Sequence, residues 1–441
     1  MLNDTIVAVA TALSESAISI IKVSGEEAIE VVNRIFSRDL MKAKSHTVHY
    51  GKILDQEEEI DEVLVSIFRA PKTFTAEDVV EINCHGGVYI TRKILSLCLA
   101  NGARLALNGE FTQRAYLNGR IDLSQAESIH DMIGAKNETN IKLAMKGING
   151  SIRKLIDPLL IDLLNIIAQI EVNIDYPEYD DVEVMTSEVI LPKANQWLKE
   201  IDVILKRANS TRRMKQGVKT AIVGKPNVGK SSLLNALLQE DKAIVTDIAG
   251  TTRDLVEGYI NLDHVTLHLI DTAGIRETED VVEKIGIDRS IQAIEEAELC
   301  IVLLDGSNQL DTQDEELLEM TKDKQRLVVY NKHDLNKKDN EITISALNED
   351  IEALVDAINE LYQEDYQVLD APSLNNERQI SCLIQARDEM KIAIDSMENG
   401  FELDLVTINL QEAYYSLKDI LGQRNKTDLI DTLFRNFCLG K

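Results

Sequence analysis

The chain has 441 residues, of which 44% are hydrophobic, and its 47 basic and 75 acidic residues give a formal net charge of −28. That charge excludes the broad basic surface of a typical nucleic-acid-binding protein, so any contact with RNA must be local or shared with a partner. Five cysteines without a C-x-x-C pair indicate neither a disulfide framework nor a zinc site, and they suit a reducing cytoplasm. No apolar run approaches the roughly 20 residues of a membrane span, so we expect a soluble protein of about three domains.

The first 118 residues alternate strand patterns with helix patterns. The strand patterns cover residues 17–23, 63–68 and 79–83, and the helix patterns cover residues 26–36 and 88–100. We therefore predict a mixed α+β domain over residues 1–118.

Helical patterns follow this domain and return at the end of the chain. An apolar stripe at three- and four-residue spacing, typical of the buried face of a helix, is formed by Leu155, Leu159, Leu163, Ile166, Ile167 and Ile170. Further helices are predicted at residues 187–208, 378–397, 403–421 and 428–437. Because these helices flank residues 214–368, we predict one helical domain in two parts, 119–213 and 369–441, with a nucleotide-binding domain inserted between them.

Residues 224–231, Gly-Lys-Pro-Asn-Val-Gly-Lys-Ser, fit the phosphate-binding pattern G-x-x-x-x-G-K-[ST]. A strand pattern at 219–223 precedes them and a helix pattern at 232–238 follows, which is the context of a P-loop. The glycines let backbone N–H groups approach phosphates, and Lys230 can reach the β and γ phosphates. The Ser231 hydroxyl is a predicted Mg²⁺ ligand.

Three shorter motifs follow in the order found in guanine-nucleotide-binding proteins. Residues 271–274, Asp-Thr-Ala-Gly, follow a strand pattern and offer an acid to the metal and a glycine N–H to the γ-phosphate. Residues 331–334, Asn-Lys-His-Asp, place a carboxylate that can accept two hydrogen bonds from guanine, which adenine cannot donate in that pattern. Ser345 and Ala346 follow an apolar run and place a backbone N–H for guanine O6. The nucleotide is therefore predicted to be GTP, with contacts from Asn227, Val228, Gly229, Lys230, Ser231, Ser232, Thr246, Asp247, Ile248, Ala249, Gly250, Thr251, Thr252, Asp271, Thr272, Ala273, Gly274, Asn331, Lys332, Asp334, Ser345 and Ala346.

The segment between the P-loop and residue 271 supplies Thr252 as the predicted second hydroxyl ligand of Mg²⁺. Ile275 then stands where Ras-type enzymes carry a glutamine that orients water. An aliphatic side chain cannot orient water, so catalysis must use another group. The residues alone do not choose among the nearby candidates Arg276, Glu277, Glu279, Asp280 and Glu283.

Over its whole length the chain resembles the MnmE (TrmE) family of tRNA modification GTPases. The resemblance is carried by residues 74–87 (FTAEDVVEINCHGG), by residues 111–127 (FTQRAYLNGRIDLSQAE) and by the terminal residues 438–441, Cys-Leu-Gly-Lys. It implies an N-terminal α+β folate-binding-like domain, a central helical domain, and an inserted P-loop GTPase domain with a Ras-like doubly wound sheet.

The resemblance also implies partners and a substrate. It implies a homodimer formed through the N-terminal domain, and an FAD-containing partner of the MnmG type. Together the two proteins of this family add an aminomethyl or carboxymethylaminomethyl group at carbon 5 of the wobble uridine of certain tRNAs. In that chemistry the one-carbon unit comes from a methylene-folate, so the folate bound by this domain need not be the donor.

The same resemblance implies a site for a 5-formyltetrahydrofolate-type folate, formed by Lys22, Glu81, Arg120 and Lys441. Cationic side chains suit the glutamate carboxylates of a folate, and Glu81 can accept hydrogen bonds from the pterin. The family usually carries arginine at position 22, so the bidentate geometry of arginine is missing there. A structural ion pair or two solvated charges is the alternative for Glu81 and Arg120.

The resemblance offers a substitute for the missing glutamine. In the family a K⁺ ion lies near the nucleotide, and here its ligands would be Asn227 and the backbone carbonyls of Thr246, Ile248 and Thr251. Glu283 aligns with the family's acid that positions water indirectly. Cys438 is implied to be a functional thiol, either a nucleophile or a binding group; composition alone predicts a small buried hydrophobe near a helix end, the commoner role of a free cysteine.

The predicted function is that of a cytoplasmic, K⁺- and Mg²⁺-dependent GTPase in tRNA modification, in which hydrolysis drives a domain rearrangement. One alternative is a ribosome-assembly or regulatory GTPase, which we would expect to carry an RNA-binding module or a basic tail. A second alternative is a folate-dependent one-carbon enzyme with a regulatory GTPase domain, which would act on tRNA without a partner.

Overall fold

The structure is a computed structural model that describes residues 4–135, 137–175, 186–239, 243–244, 258–270, 291–334, 341–368, 371–424, 434 and 440. The chain divides into two compact units. The first unit comprises Met1–Ala135, Ala144–Ser187 and Asp388–Lys441, and the second comprises Lys136–Leu143 and Glu188–Arg387. Among the described helices, none combines the length and the apolar character that crossing a membrane requires.

The strands are β1 (Ile6–Val9), β2 (Ile18–Ser24), β3 (Thr47–Asp55), β4 (Glu58–Phe68), β5 (Val79–His85), β6 (Arg104–Leu105), β7 (Val218–Val223), β8 (Ala243–Ile244), β9 (Gly258–Asn261), β10 (Thr266–Leu269), β11 (Leu299–Asp305), β12 (Gln325–Asn331) and β13 (Ile342–Thr343). The helices with described bounds are α1 (Ala28–Asn33), α2 (Val88–Ala100), α3 (Glu110–Leu117), α4 (Leu123–Ile133), α5 (Glu138–Ile148), α6 (Ser151–Asp175), α7 (Ser187–Gln216), α8 (Lys230–Gln239), α9 (Thr312–Met320), α10 (Glu352–Leu361), α11 (Gln363–Val368), α12 (Glu377–Glu398) and α13 (Leu403–Ile420).

The first unit contains a six-stranded sheet in the order β3-β4-β5-β2-β1-β6. Its neighbouring strands are antiparallel, except that β1 and β6 are parallel. Residues on one face, such as Ile21, Val65 and Ile82, form a hydrophobic core with residues of α1 and α2. Alternate residues of β2 and β5 therefore point away from this core, and Lys22 lies opposite Glu81 in the register of these two strands.

The sequence pattern predicts β2, β4 and β5 but not β3. Only Gly51 and Ile53 of β3 are buried, so the alternation of apolar and polar residues that marks a strand is absent. The strand forms because it pairs along its length with β4 in a hairpin.

Helices α6 and α13 pack together in the same unit. Of the predicted apolar stripe, five members are buried in α6, namely Leu159, Leu163, Ile166, Ile167 and Ile170. Helix α4 begins with a capping box, in which Asp122 and Gln125 exchange side-chain to backbone hydrogen bonds. Within the segment predicted as a helix at 428–437, only Phe434 is described; it is helical and buried, with its ring centroid 6.3 Å from that of Tyr116.

The second unit contains a seven-stranded sheet in the order β13-β12-β11-β7-β10-β9-β8. Strand β7 lies at its centre and is parallel to both neighbours, β10 and β11. Buried residues on the two faces of this sheet form two separate hydrophobic clusters. In such doubly wound sheets, ligands bind beyond the carboxyl ends of the strands at the point where the strand order reverses, which here is the end of β7.

Helix α7 extends eight residues beyond its predicted end at residue 208. Its buried face continues through Ser210, Thr211 and Met214. The two polar residues in this stretch conceal the apolar spacing, so the sequence pattern ends too early.

Candidate nucleotide site

The P-loop runs from the end of β7 to the start of α8, and its backbone requires glycine at two positions. A Cβ atom at Gly224 would lie 2.5 Å from the carbonyl oxygen of Leu303 on β11. Gly229 has a φ of +100°, a conformation that residues with a side chain rarely adopt. Asn227, at the tip of the loop, has a φ of +62° and an exposed side chain. The loop therefore has the compact backbone that phosphate binding needs.

Lys230 lies across the mouth of this loop. Its Nζ donates hydrogen bonds to the carbonyl oxygens of Gly224, at 2.6 Å, and of Lys225, at 2.8 Å. Burial lowers the pKa of this ammonium group. An anion at the loop would favour the charged form of Lys230, so the site is suited to phosphate.

Asn331 joins the P-loop to the guanine motif. Its side chain is buried, at 3% exposure. Its Nδ2 donates to the carbonyl oxygen of Val228 at 2.8 Å, and its Oδ1 accepts from the backbone N–H of Ala346 at 2.9 Å. A Cβ atom at Gly229 would lie 2.2 Å from this Nδ2, so the second glycine of the P-loop also makes room for Asn331.

The carboxyl ends of β11 and β12 position the rest of the guanine motif. Lys332, with a φ of +67°, donates from Nζ to Oδ2 of Asp305 at 2.7 Å. Burial alone would raise the pKa of Asp305, but hydrogen bonds from Lys332 and Ser307 outweigh it and lower that pKa to about 2. The Ser345 hydroxyl donates to Oδ1 of Asp334 at 2.8 Å, which holds the carboxylate in one orientation.

The structure thus brings the predicted P-loop residues together with Asn331, Lys332, Asp334, Ser345 and Ala346. Ser231 and Ser232 lie in the first turn of α8. The other predicted GTP, Mg²⁺ and K⁺ contacts lie outside the described residues, together with the catalytic candidates Glu283 and Cys438. Sequence analysis missed Asp305, although the buried apolar run of β11 that it ends is a recognisable signal.

A second cluster of predicted site residues lies in the first unit, around the ring of Phe74. The Nζ of Lys22 lies 4.6 Å from the centroid of this ring, and the guanidinium of Arg120 lies 5.6 Å from it. No ion pair joins Glu81 to Arg120, which are both described. Glu81 faces Lys22 across β5 and β2 instead. Two cations therefore flank one aromatic ring beside a carboxylate.

The end of the chain approaches the same sheet. Gly440 has a φ of +88°, and a Cβ atom there would lie 2.7 Å from the carbonyl oxygen of Val9 at the end of β1. Strand β1 pairs with β2, and Ala8 lies opposite Lys22. Lys441 itself lies outside the described residues.

Comparisons with known proteins decide the family. The family model described as "GTP-binding protein TrmE N-terminus" matches residues 5–120, and the model described as "MnmE helical domain" matches residues 123–438. The chain is 49% identical over 455 residues to the tRNA modification GTPase MnmE of Bacillus cytotoxicus and 50% identical over 444 residues to that of Acholeplasma laidlawii. Each alignment covers 99% of both chains.

The chain belongs to the MnmE family of tRNA modification GTPases.

Membership in the MnmE family confirms the predicted fold class, with a TrmE-type N-terminal domain, a helical domain and a P-loop GTPase domain. It also makes the chain a GTP hydrolase that functions in tRNA modification. Among solved structures, an Era variant from Aquifex aeolicus bound to GDP.AlF4⁻ is 28% identical, covers 39% of this chain and 66% of its own, and has a TM-score of 0.25. The predicted domain boundaries at residues 118, 213 and 368 stay predictions.

Proposed function

We propose that the chain is a K⁺-dependent GTPase that acts with an FAD-containing, MnmG-type protein on the wobble uridine of certain tRNAs. The pair would add an aminomethyl or carboxymethylaminomethyl group at carbon 5 of that base. The observation that carries this proposal is the match to MnmE relatives over 99% of the chain, which includes the N-terminal and helical domains as well as the GTPase domain. A ribosome-assembly GTPase would share only the GTPase part.

In the proposed nucleotide complex, the backbone N–H groups of the P-loop and Lys230 bind the phosphates. Ser231 and Thr252 would hold Mg²⁺ through their hydroxyls, and Mg²⁺ would neutralise charge on the β and γ phosphates. The placement of Ser231 in the first turn of α8, directly after Lys230, supports this role. Asp334, oriented by Ser345, would select guanine.

Asn227 supports a cation site beside the γ-phosphate. Its left-handed backbone and exposed side chain leave the Oδ1 atom at the tip of the P-loop available as a ligand. K⁺ would be held there together with the carbonyls of Thr246, Ile248 and Thr251, and it would stabilise the negative charge of the transition state. Glu283 would position the attacking water through a second group.

The cluster around Phe74 supports the folate proposal. Lys22 and Arg120 would bind the carboxylates of a 5-formyltetrahydrofolate-type ligand, Glu81 would accept from its pterin, and Lys441 would complete the site. The position of Gly440 beside β1 supports the contribution of the chain end. Cys438 would act close by, as a nucleophile or as a binding group.

The outer face of the first sheet supports a homodimer formed through the N-terminal domain. Tyr50, Leu64 and Asn83 lie in one cross-strand row on neighbouring strands, and Ile20 continues the row on β2. Tyr50 and Leu64 are exposed large hydrophobic side chains, as are Val48 and Ile18 on the same sheet. Exposed apolar surface of this kind is typical of protein interfaces.

Nucleoside mass spectrometry tests the proposed chemistry. In a bacterial strain that lacks its own MnmE, we expect the modified wobble uridine to be absent and to return when this chain is expressed. Cys438→Ser should fail to restore it, whereas GTP hydrolysis by the purified variant should continue. Failure of the wild-type chain to restore the modified uridine would contradict a role in modification, and modification by the purified chain without a flavoprotein would favour the one-carbon-enzyme alternative.

The cation proposal has a separate test. We expect GTP hydrolysis to fall sharply when Na⁺ replaces K⁺ at equal ionic strength, because ligands spaced for K⁺ would hold the smaller Na⁺ less well. Equal rates in the two salts would remove the proposed role of Asn227.

A further inference from the structure

The second residue of the P-loop, Lys225, is anchored outside the loop. Its Nζ lies 2.7 Å from Oδ2 of Asp311 and 2.7 Å from Oδ2 of Asp314, at the start of helix α9. The Lys225 side chain is only 19% exposed. The GTP-binding motif does not specify this residue, and Lys225 is not among the predicted GTP contacts.

The two carboxylates are fixed by the start of the helix itself. Asp311 caps α9, because its Oδ1 accepts from the backbone N–H groups of Gln313 and Asp314, each at 3.1 Å. Asp314 accepts in return from the backbone N–H of Asp311 at 3.2 Å. This capping box holds both acids in place, so Lys225 meets a rigid partner and not two mobile side chains.

The burial of Asp314 makes the ion pair with Lys225 energetically important. The residue is 3% exposed, and its Oδ1 has no hydrogen-bond partner among the described residues. A buried carboxylate in that state requires a nearby positive charge, which Lys225 supplies. The pair therefore differs from exposed salt bridges, whose contribution is close to zero.

Lys225 also connects Asp311 and Asp314 to the phosphate-binding part of the P-loop. Its carbonyl oxygen is one of the two atoms that accept hydrogen bonds from the ammonium of Lys230. Asn227 follows it by two residues. A shift of Lys225 toward or away from α9 would therefore move the carbonyl that holds Lys230 and the loop tip that carries Asn227.

We propose that Lys225 is a positioning residue for GTP hydrolysis, which pins the first half of the P-loop to Asp311 and Asp314 of helix α9. The pin keeps Lys230 and Asn227 where charge develops on the transferred phosphoryl group. Small displacements of preorganised charges cost more in the transition state than in the bound substrate. The role of Lys225 rests on GTP hydrolysis, and its connection to Asn227 rests in addition on the proposed K⁺ site.

Steady-state hydrolysis by the full chain tests the pin. Lys225→Ala should lower kcat about tenfold, the scale expected for one charge-assisted contact. The KM for GTP should change less than about twofold. The melting temperature should fall, because Lys225→Ala leaves the buried carboxylate of Asp314 unpaired, so the rates are compared at a temperature where both proteins are folded. Lys225→Arg should recover most of the rate, because arginine can also reach two carboxylates.

Variants on α9 separate positioning from folding. Asp311→Asn removes one partner at a site that is 55% exposed, so it should fold normally and lower kcat in the same direction as Lys225→Ala. Asp314→Asn should do so more strongly. The matched control is Lys322→Ala, which breaks the exposed pair of Lys322 with Glu319 close to the end of α9 and should leave kcat unchanged.

The outcomes are distinct. A kcat of Lys225→Ala within twofold of the wild type would contradict the proposal that Lys225 is a positioning residue. A loss of activity that only follows the unfolded fraction of the protein would also contradict it. In a K⁺ titration, the variant should also need several-fold more K⁺ for half-maximal rate. A wild-type rate of GTP hydrolysis that does not depend on K⁺ would contradict the cation proposal. The test of Lys225 by kcat does not depend on that result.

Discussion

The nucleotide site and the cluster around Phe74 are built in opposite ways. In the nucleotide site, short contiguous motifs follow the parallel strands β7 and β12, and many contacts use backbone atoms or the buried amide of Asn331. In the N-terminal sheet, Lys22 comes from an antiparallel strand and Arg120 from a loop after α3, and only their side chains meet the ring of Phe74. Short sequence motifs therefore define the nucleotide site, whereas the cluster around Phe74 forms only when distant segments fold together.

This difference predicts that single substitutions should act more severely in the nucleotide site. The largest effect is expected for Asp334→Asn, which replaces the acceptor for guanine by a group that can donate. The ratio of kcat/KM for GTP to that for xanthosine triphosphate should fall by roughly a thousandfold, because a site built to hydrogen-bond one base rejects another strongly. Steady-state kinetics with both nucleotides measure this ratio. The control Asp350→Asn changes an exposed carboxylate that pairs with His333 at 3.2 Å, and it should leave the ratio unchanged. An unaltered ratio in Asp334→Asn would remove the guanine assignment.

Asn331→Ala sharpens the comparison, because Asn331 contacts two parts of the site and need not touch the nucleotide. The substitution leaves the carbonyl of Val228 and the N–H of Ala346 buried without a partner, at roughly 1–3 kcal/mol each. We expect GDP affinity to fall about a hundredfold in titration calorimetry, with a lower melting temperature of the second unit. Asn308→Ala, which removes a hydrogen bond to Asp305 at an exposed residue, serves as the control. Equal affinities for the two variants would show that Asn331 does not couple the two motifs.

The sequence predicts the nucleotide site well because its motifs coincide with strand ends. A run of apolar residues followed by glycine or by Asn-Lys-His-Asp marks both the element and the function. The fold class and the strands β2, β4, β5 and β7 follow from the same alternation and apolar runs. Strand β3 escapes prediction because it pairs along its length with β4 although only Gly51 and Ile53 are buried, which is too few for a visible alternation.

Long-range side-chain pairs escape prediction for a different reason. Nothing near Lys225 in the sequence indicates Asp314, which lies 89 residues away. Phe74 likewise shows no local sign that two cations will approach its ring. Folding brings such partners together through the packing of whole elements, and one sequence contains no record of that packing. The family resemblance implies Lys22 and Arg120 as folate contacts, but it assigns no such role to Phe74.

Low pH should destabilise the region of the guanine motif by protonating Asp305. Its pKa in the folded chain is about 2, below the ordinary value of 3.8, so its ion pair with Lys332 stabilises the fold fully above pH 4 and is lost as the pH falls through 2. The free energy of unfolding of wild type should exceed that of Asp305→Asn by about 2 kcal/mol more at pH 6 than at pH 2. Urea unfolding at a series of pH values measures this difference. A difference that does not change with pH would mean that the carboxylate charge does not stabilise this region.

The smallest effect is expected at Phe74, where the contacts are partly exposed. Phe74→Leu keeps an apolar side chain but removes the ring that Lys22 and Arg120 flank, a loss of roughly 1 kcal/mol for cation–π contacts at such sites. Affinity for 5-formyltetrahydrofolate should fall about fivefold in titration calorimetry, while the rate of GTP hydrolysis stays unchanged. Tyr414→Leu is the matched control, since it removes the ring that Lys418 approaches at 5.2 Å within α13 and should leave folate binding intact. An unchanged folate affinity in Phe74→Leu would mean that the Phe74 ring does not position Lys22 and Arg120 for folate binding. A fall as large as that of Asn331→Ala for GDP would show that this cluster is as preorganised as the nucleotide site.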